Sequence, residues 1–326
     1  MRAAFTALPS TIRKGILYMK FYKYYIAALA AFVIWGFFSL VLKPLEVYPS
    51  LDILFYRVFS CAILMLIISC LFRRTVGRQN REIFKAMPLA QKRKIVWLTL
   101  GGGVFLTTNW FSFIYVMNHI SIKAASFAYM ICPIITTVLA FFILQEKLSR
   151  WQWGAVLLSV FSCILLSFNN LSDILYSLIV AISYALYLVS QRKNSELDKF
   201  LLLTFQIVFS ALILLPFYFP YRGPLPVGSF FWGSILLIAV LFTIIPLFLN
   251  LYALKGVNSS TMGILLYINP VFNFGLAIFY FHESIRGIQI IAYCLILLSI
   301  LIFNERHIFR RAKSPASPTY SSSGTR

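Results

Sequence analysis

Apolar residues run through this chain in long blocks, separated by short polar stretches that hold nearly all of the charge. From residue 24 to 303 the blocks recur at about 17–25 residues, the length at which an α-helix crosses roughly 30 Å of hydrocarbon. They do not alternate apolar with polar positions, as the shorter strands of a membrane barrel would. The pattern predicts ten transmembrane helices, over about residues 24–42, 53–72, 95–117, 124–144, 151–168, 174–190, 200–219, 230–254, 261–281 and 288–303. The sixth is the most diluted, by Ser177, Ser183, Tyr184 and Tyr187. Most connections are very short, so neighbouring helices must pack antiparallel.

The chain also repeats itself. Shifted by 137 residues, Tyr115 falls on Tyr252, Pro133 on Pro270, Glu146 on Glu283, Gln152 on Gln289, Ala155 on Ala292 and Ser162 on Ser299. Five helices per repeat is an odd number, so the second half must enter the membrane upside down. The fold expected is therefore all-α and integral to the membrane, with ten transmembrane helices as two inverted five-helix repeats, 24–168 and 174–303. Inverted repeats of this kind build many secondary transporters, with the site near the midplane.

Composition agrees: 60% of residues are hydrophobic and 12% charged, against roughly a quarter charged in soluble domains. The net charge of +20 would suggest nucleic acid on a soluble protein. Here the basic residues lie between apolar runs, where they set topology and meet anionic lipid. With a cytoplasmic N-terminus, 24 of the 29 Lys and Arg face the cytoplasm. Lys43, Lys123, Arg222 and Arg286 face the other side, and Arg57 lies inside helix two. This split predicts both termini in the cytoplasm. Residues 1–23 form a basic cytoplasmic leader, read either as a start-site extension ahead of Met19 or as an amphipathic segment on the membrane. Residues 304–326 form a basic tail, polar and low in complexity, expected to be disordered. The five cysteines all sit inside apolar runs without a CxxC pair. Neither a disulfide framework nor a metal site is expected, and no cofactor motif stands out.

Polar residues inside apolar runs need partners that lipid does not offer. Arg57 is the one basic residue well inside a helix, either an anchor for a substrate carboxylate or phosphate or a snorkelling side chain. Trp35, Asn109, Trp110, Tyr129, Tyr184, Tyr267 and Asn269 are candidate cavity-lining residues, suited to an amphipathic, partly aromatic ligand. Their alternative role is to bond one another across packed helices. Pro133 and Pro270 are candidate hinges, because each is expected to interrupt a helix ladder. Glu146 and Glu283 end helices four and nine at opposite faces and must find donors there, as structural clasps more than coupling groups. None of the nine acids lies mid-helix, so a proton relay through a midplane carboxylate has little support. Uniport or exchange fits as well, with Asp52, Glu146 and Glu283 as outside candidates for coupling.

Several of these residues stand in familiar company. The stretch ALAAFVIWGFF at residues 28–38, with Tyr48-Pro49, Asp52 and Tyr56-Arg57, resembles the opening of RarD-type proteins of the EamA branch of drug/metabolite transporters. Asn109-Trp110, residues 125–133, Glu146-Lys147-Leu148, Tyr267-Ile268-Asn269-Pro270 and His282-Glu283 continue the likeness over about residues 22–305. Tyr56 departs from it, since the family more often has His there. The resemblance implies ten helices, a bacterial inner membrane and a small organic substrate. The function expected is secondary transport of a small metabolite or drug-like molecule, with membrane lipids as surroundings and no nucleic acid. The alternatives are a membrane-embedded binding or signalling protein, and a membrane enzyme, which would need a buried acid, base or metal that the sequence does not show.

Overall fold

The computed structural model describes residues 10–120, 122–167, 171–194, 196–282 and 287–303. All regular structure among them is helical. The chain runs through α1 (Ser10–Gly36), α2 (Phe38–Leu42) with a 3₁₀ turn (Lys43–Leu45), α3 (Ser50–Phe72), α4 (Arg74–Ala86) and α5 (Leu89–His119). It continues with α6 (Ile122–Leu144), α7 (Arg150–Ser167), α8 (Leu171–Lys193), α9 (Lys199–Tyr221) and α10 (Ser229–Ala239). A π turn (Val240–Ile244) leads into α11 (Ile245–Ala253), followed by α12 (Ser259–Leu265), α13 (Ile268–Phe279) and α14 (Gly287–Phe303). Within the described residues, six stretches are long and apolar enough to span a membrane: Tyr22–Leu45, Ser50–Phe72, Leu89–His119, Leu175–Lys193, Lys199–Tyr221 and Ser229–Ala253. Shorter apolar helices cover Ala128–Leu144, Arg150–Leu165 and Ile290–Phe303.

The structure departs from the hydrophobic pattern in four places. Residues 74–86, expected as part of a loop, form α4, a strongly one-sided basic helix with no buried residue. Helix one stops at Gly36 and resumes at Phe38. Helix eight contains the π turn. Helix nine is two pieces, α12 and α13, with Asn269 and Pro270 in the first turn of α13, where a missing N–H costs nothing because those groups have no intrahelical acceptor. Pro133, by contrast, lies inside the continuous α6, so the two prolines do not share one kind of break. The diluted sixth run is α8, and the residues that diluted it are the ones it buries: Ser177, Ser183, Tyr184 and Tyr187 all face protein.

Packing follows the repeat. The strongest partners of α8 are α5 and α6, while α1 lies against α11, α13 and α12. Exchanging α1 with α8, α3 with α9, α5 with α11, α6 with α12 and α13, and α7 with α14 turns one set of contacts into the other. The pairs α3 with α9, α7 with α14, and α6 with α12 and α13 map onto themselves. Backbone geometry repeats too. Among the described residues, Gln145 and His282, 137 apart, are the non-glycine residues with positive φ, 56° and 51°. Each sits just past the end of an apolar helix, α6 and α13, in the left-handed conformation that ends helices.

Two close approaches need glycine. A Cβ on Gly36 would lie 2.6 Å from Phe272 Cβ, where α1 crosses α13. A Cβ on Gly103 would lie 2.8 Å from the Phe209 ring and 3.1 Å from the Gln206 carbonyl on α9. Gly103→Ala should therefore lower stability by about 1 kcal/mol or more through overpacking, read as a fall in Tm of the purified protein. Gly101, whose Cβ would meet only its own helix's Phe105 at 3.8 Å, should tolerate Ala.

Candidate functional site

Seven side chains singled out in the sequence converge on one cavity: Trp35 from α1, Arg57 from α3, Asn109 and Trp110 from α5, Tyr129 from α6, Tyr184 from α8 and Asn269 from α13. Phe38, Phe113 and Leu247 complete the lining. About 20 Å³ of it is open to water centres, against the roughly 10–15 Å³ that one water needs. It has room for little more than one water. Tyr267 lies elsewhere: its hydroxyl donates to Ser159 Oγ at 3.3 Å, beside the Ser159–Ser299 contact between α7 and α14.

Arg57 is 3% exposed and does not snorkel. Its Nε donates to Thr243 Oγ1 at 2.9 Å, and its guanidinium carbon sits 5.2 Å from the Phe38 ring centre and 5.0 Å from that of Trp110. Desolvated cation–π contacts of this kind contribute about 2 kcal/mol. The ion pairs among the described residues, Lys43–Glu46 and Arg73–Asp198, are at helix ends; no described carboxylate pairs with Arg57, and its two Nη groups have no described hydrogen-bond acceptor.

The π turn shapes the wall opposite. Pro246 has no N–H to offer the carbonyls one turn behind it, and the Phe242 carbonyl accepts Trp35 Nε1 at 2.9 Å. The extra residue in the turn lets the Thr243 hydroxyl donate to Ile238 O at 2.9 Å while accepting from Arg57. π turns recur at functional sites. The sequence reading missed Phe242 and Thr243; the available signal was a polar Thr three residues ahead of a proline in an otherwise apolar run. Trp35→Phe would leave the Phe242 carbonyl without its donor, at a cost of about 1 kcal/mol in thermal unfolding.

The remaining candidates brace the walls. Asn109 Nδ2 donates to Val180 O at 2.9 Å, tying α5 to α8. Asn250 Nδ2 reaches the Tyr184 hydroxyl at 2.5 Å, and Asn273 Nδ2 reaches Asn269 Oδ1 at 2.5 Å. The rings of Trp35 and Tyr129 both meet Tyr184 edge-on, at 5.9 and 6.1 Å. Tyr56 turns away from the cavity towards Tyr218, Phe231 and Trp232. Glu146 accepts the Ser259 N–H at 3.1 Å, at the start of α12, where a helix N-terminus favours an anion. Pro133 lines a smaller cavity and Pro270 an apolar one larger than that around Arg57. Glu283 lies outside the described residues.

An apolar helical bundle holding a cation-bearing aromatic cavity defines a membrane-spanning protein, and comparison with known proteins gives its class. The EamA-like transporter family matches residues 22–168 and again 171–304, and the chain belongs to that family. It is 29% identical to the uncharacterised transporter YojE of Bacillus subtilis, over 89% of this chain and 93% of YojE. It is equally similar, at 29%, to protein RarD of Streptomyces exfoliatus, over 94% of this chain and 95% of that one. RarD of Escherichia coli is 24% identical over 88% and 95%. A solved crystal structure at 17% identity shares the fold, with a TM-score of 0.65 over 89% of this chain and 98% of that one. The protein is thus a RarD-like, EamA-type transporter, spanning the inner membrane several times.

Proposed function

We propose that the protein is a secondary transporter of a small organic molecule. In this reading two inverted halves of five transmembrane helices, 24–168 and 174–303, rock about the Arg57 cavity, and both termini are cytoplasmic. The observation that carries it is the origin of the lining: α1, α2, α3, α5 and α6 supply one part, and α8, α11 and α13 the other. Relative motion of the halves would open such a cavity to one side or the other. Its closed volume supports an occluded stage, since ligand pockets are commonly about 300–1,000 Å³. Glu146 acts as a clasp between α6 and α12, and Pro133 and Pro270 shape the packing around them. Uniport or exchange fits this reading as well as proton coupling, for which Asp52, Glu146 and Glu283 are the outside candidates.

The test is counterflow in sealed vesicles containing the purified protein. A ligand that raises the Tm of the detergent-purified protein should exchange across the vesicle wall. A ligand at about 100 times its Kd adds roughly 2.7 kcal/mol of stability, so binding is read independently of flux. Tight binding without exchange overturns the transport reading in favour of a membrane receptor.

A further inference from the structure

We infer that the substrate is an aromatic monocarboxylate: one carboxylate, held by Arg57, on a flat aromatic body. This rests on the reading of the cavity as the transport site. Burying a lone cation costs several kcal/mol unless an anion or hydrogen bonds compensate. Thr243 and the two flanking rings satisfy one edge and the faces of the guanidinium. They leave the Nη groups without a described acceptor, and Arg57 is among the residues lining the cavity. Those groups form the fork that takes a carboxylate through two parallel N–H···O bonds. The cavity carries a single positive charge and no described carboxylate, so a monoanion brings it to neutrality. A dianion would leave one charge unpaired in a desolvated site, and a cation would repel Arg57.

The body of the ligand is set by the walls. Trp35, Trp110, Phe113, Tyr129 and Tyr184 line the cavity, and stacked or edge-on aromatic pairs gain more than their buried area alone supplies. If Arg57 were merely a structural brace for α3 against the π turn, the protein would show no preference for acids.

Three probes decide between these: indole-3-acetate, its neutral amide indole-3-acetamide, and the aliphatic acid cyclohexylacetate, each titrated into the full-length purified protein with thermal unfolding and calorimetry as readouts. The acid should bind at least about tenfold tighter than the amide, the ordinary worth of hydrogen bonds to a charged group. It should bind about two- to tenfold tighter than cyclohexylacetate, the range for aromatic contacts. Arg57→Gln should bring acid and amide within about twofold, and Arg57→Lys should retain only part of the preference, because a lysine lacks the fork. The comparison of acid with amide needs no variant, so a poorly folding Arg57→Gln protein does not blunt it. Equal binding of acid and amide, absence of indole-3-acetate binding, or acid preference that survives in Arg57→Gln would each overturn the assignment. Acid-selective binding without counterflow would overturn transport while leaving the ligand class intact; flux of the neutral amide without acid preference would do the reverse.

Discussion

With both termini in the cytoplasm, as proposed, cross-linking position 52 to position 223 should seal the cavity from the outer side of the membrane. Asp52, in the first turn of α3, accepts the Gly223 N–H at 3.1 and 3.2 Å, just beyond the end of α9. An ideal Cβ on residue 223 would lie 3.7 Å from Asp52 Cγ, and the sulfur of a cysteine at 52 would occupy about that Cγ position. A disulfide holds each sulfur about 3 Å from its partner's Cβ, so a closure of under about 1 Å between these two backbones would let the bond form. In a background with the exposed Cys70 and Cys294 replaced by serine, a Leu247→Cys reporter marks the cavity. Oxidising the Asp52→Cys, Gly223→Cys pair should cut labelling of that reporter by an impermeant thiol reagent from outside at least about tenfold, the shift produced by roughly 1.4 kcal/mol of bias. Labelling from the cytoplasm should persist, and reduction should restore outside access. Unchanged outside labelling in the oxidised protein would show that the outer ends of α3 and α9 do not gate the cavity.

The reason to expect a gate there is a second contact of the same design at the other end of the same helix pair. Asp198 caps α9, accepting N–H groups from Phe200 and Leu201 at 3.1 and 3.2 Å, and reaches Arg73, just beyond the end of α3, at 3.2 Å. Each acid thus stands at the start of the second helix of its half and holds the chain that follows the antiparallel partner. The inner contact is broader: Asn80 Oδ1 accepts the Asp198 N–H at 3.3 Å, and Gln91 bonds Glu196. With both ends fastened, the closed cavity is the expected result.

Much of this was legible in the apolar runs, because hydrocarbon thickness fixes helix length and leaves a polar residue inside a run few places to go. That constraint gathers Arg57, Asn109, Trp110 and Tyr184, from three different helices, at one cavity. Tyr267 shows where it fails. Tyr267 and Asn269 are two residues apart, which on a helix points them to nearly opposite faces; Asn269 looks into the cavity and Tyr267 towards the serines of α7 and α14. Which face of a helix looks inward depends on packing angles, and an almost uniformly apolar helix gives no periodicity from which to infer it. The π turn was hidden for a related reason. A register shift in backbone hydrogen bonds leaves side-chain hydropathy unchanged, and Thr243 three residues ahead of Pro246 was its mark. Helix α4 was obscured by its charge, which reads as a solvated loop until its one-sided pattern is considered.

Releasing the inner contact should have the opposite effect to the cross-link, and its two components can be separated. Asp198→Asn keeps a side-chain oxygen to cap α9 and removes the charge facing Arg73. The ion pair is partly exposed, 26% and 21% for the two side chains, so its loss is worth up to about 1 kcal/mol. Cytoplasmic labelling of the Leu247→Cys reporter should rise up to about fivefold, with little change in Tm. Arg73→Gln also takes the guanidinium off the Phe200 ring, 4.9 Å away, so its effect should be the larger, and the double variant should match Arg73→Gln because the ion pair is then already gone. Asp198→Ala also removes the cap and should lower stability by about 1 kcal/mol more. Effects of Asp198→Asn and Arg73→Gln that add in the double variant would mean that the two residues act separately. Unchanged cytoplasmic labelling in both would leave Asp198 as a helix cap alone, and the inner gate would have to lie with Gln91 and Glu196.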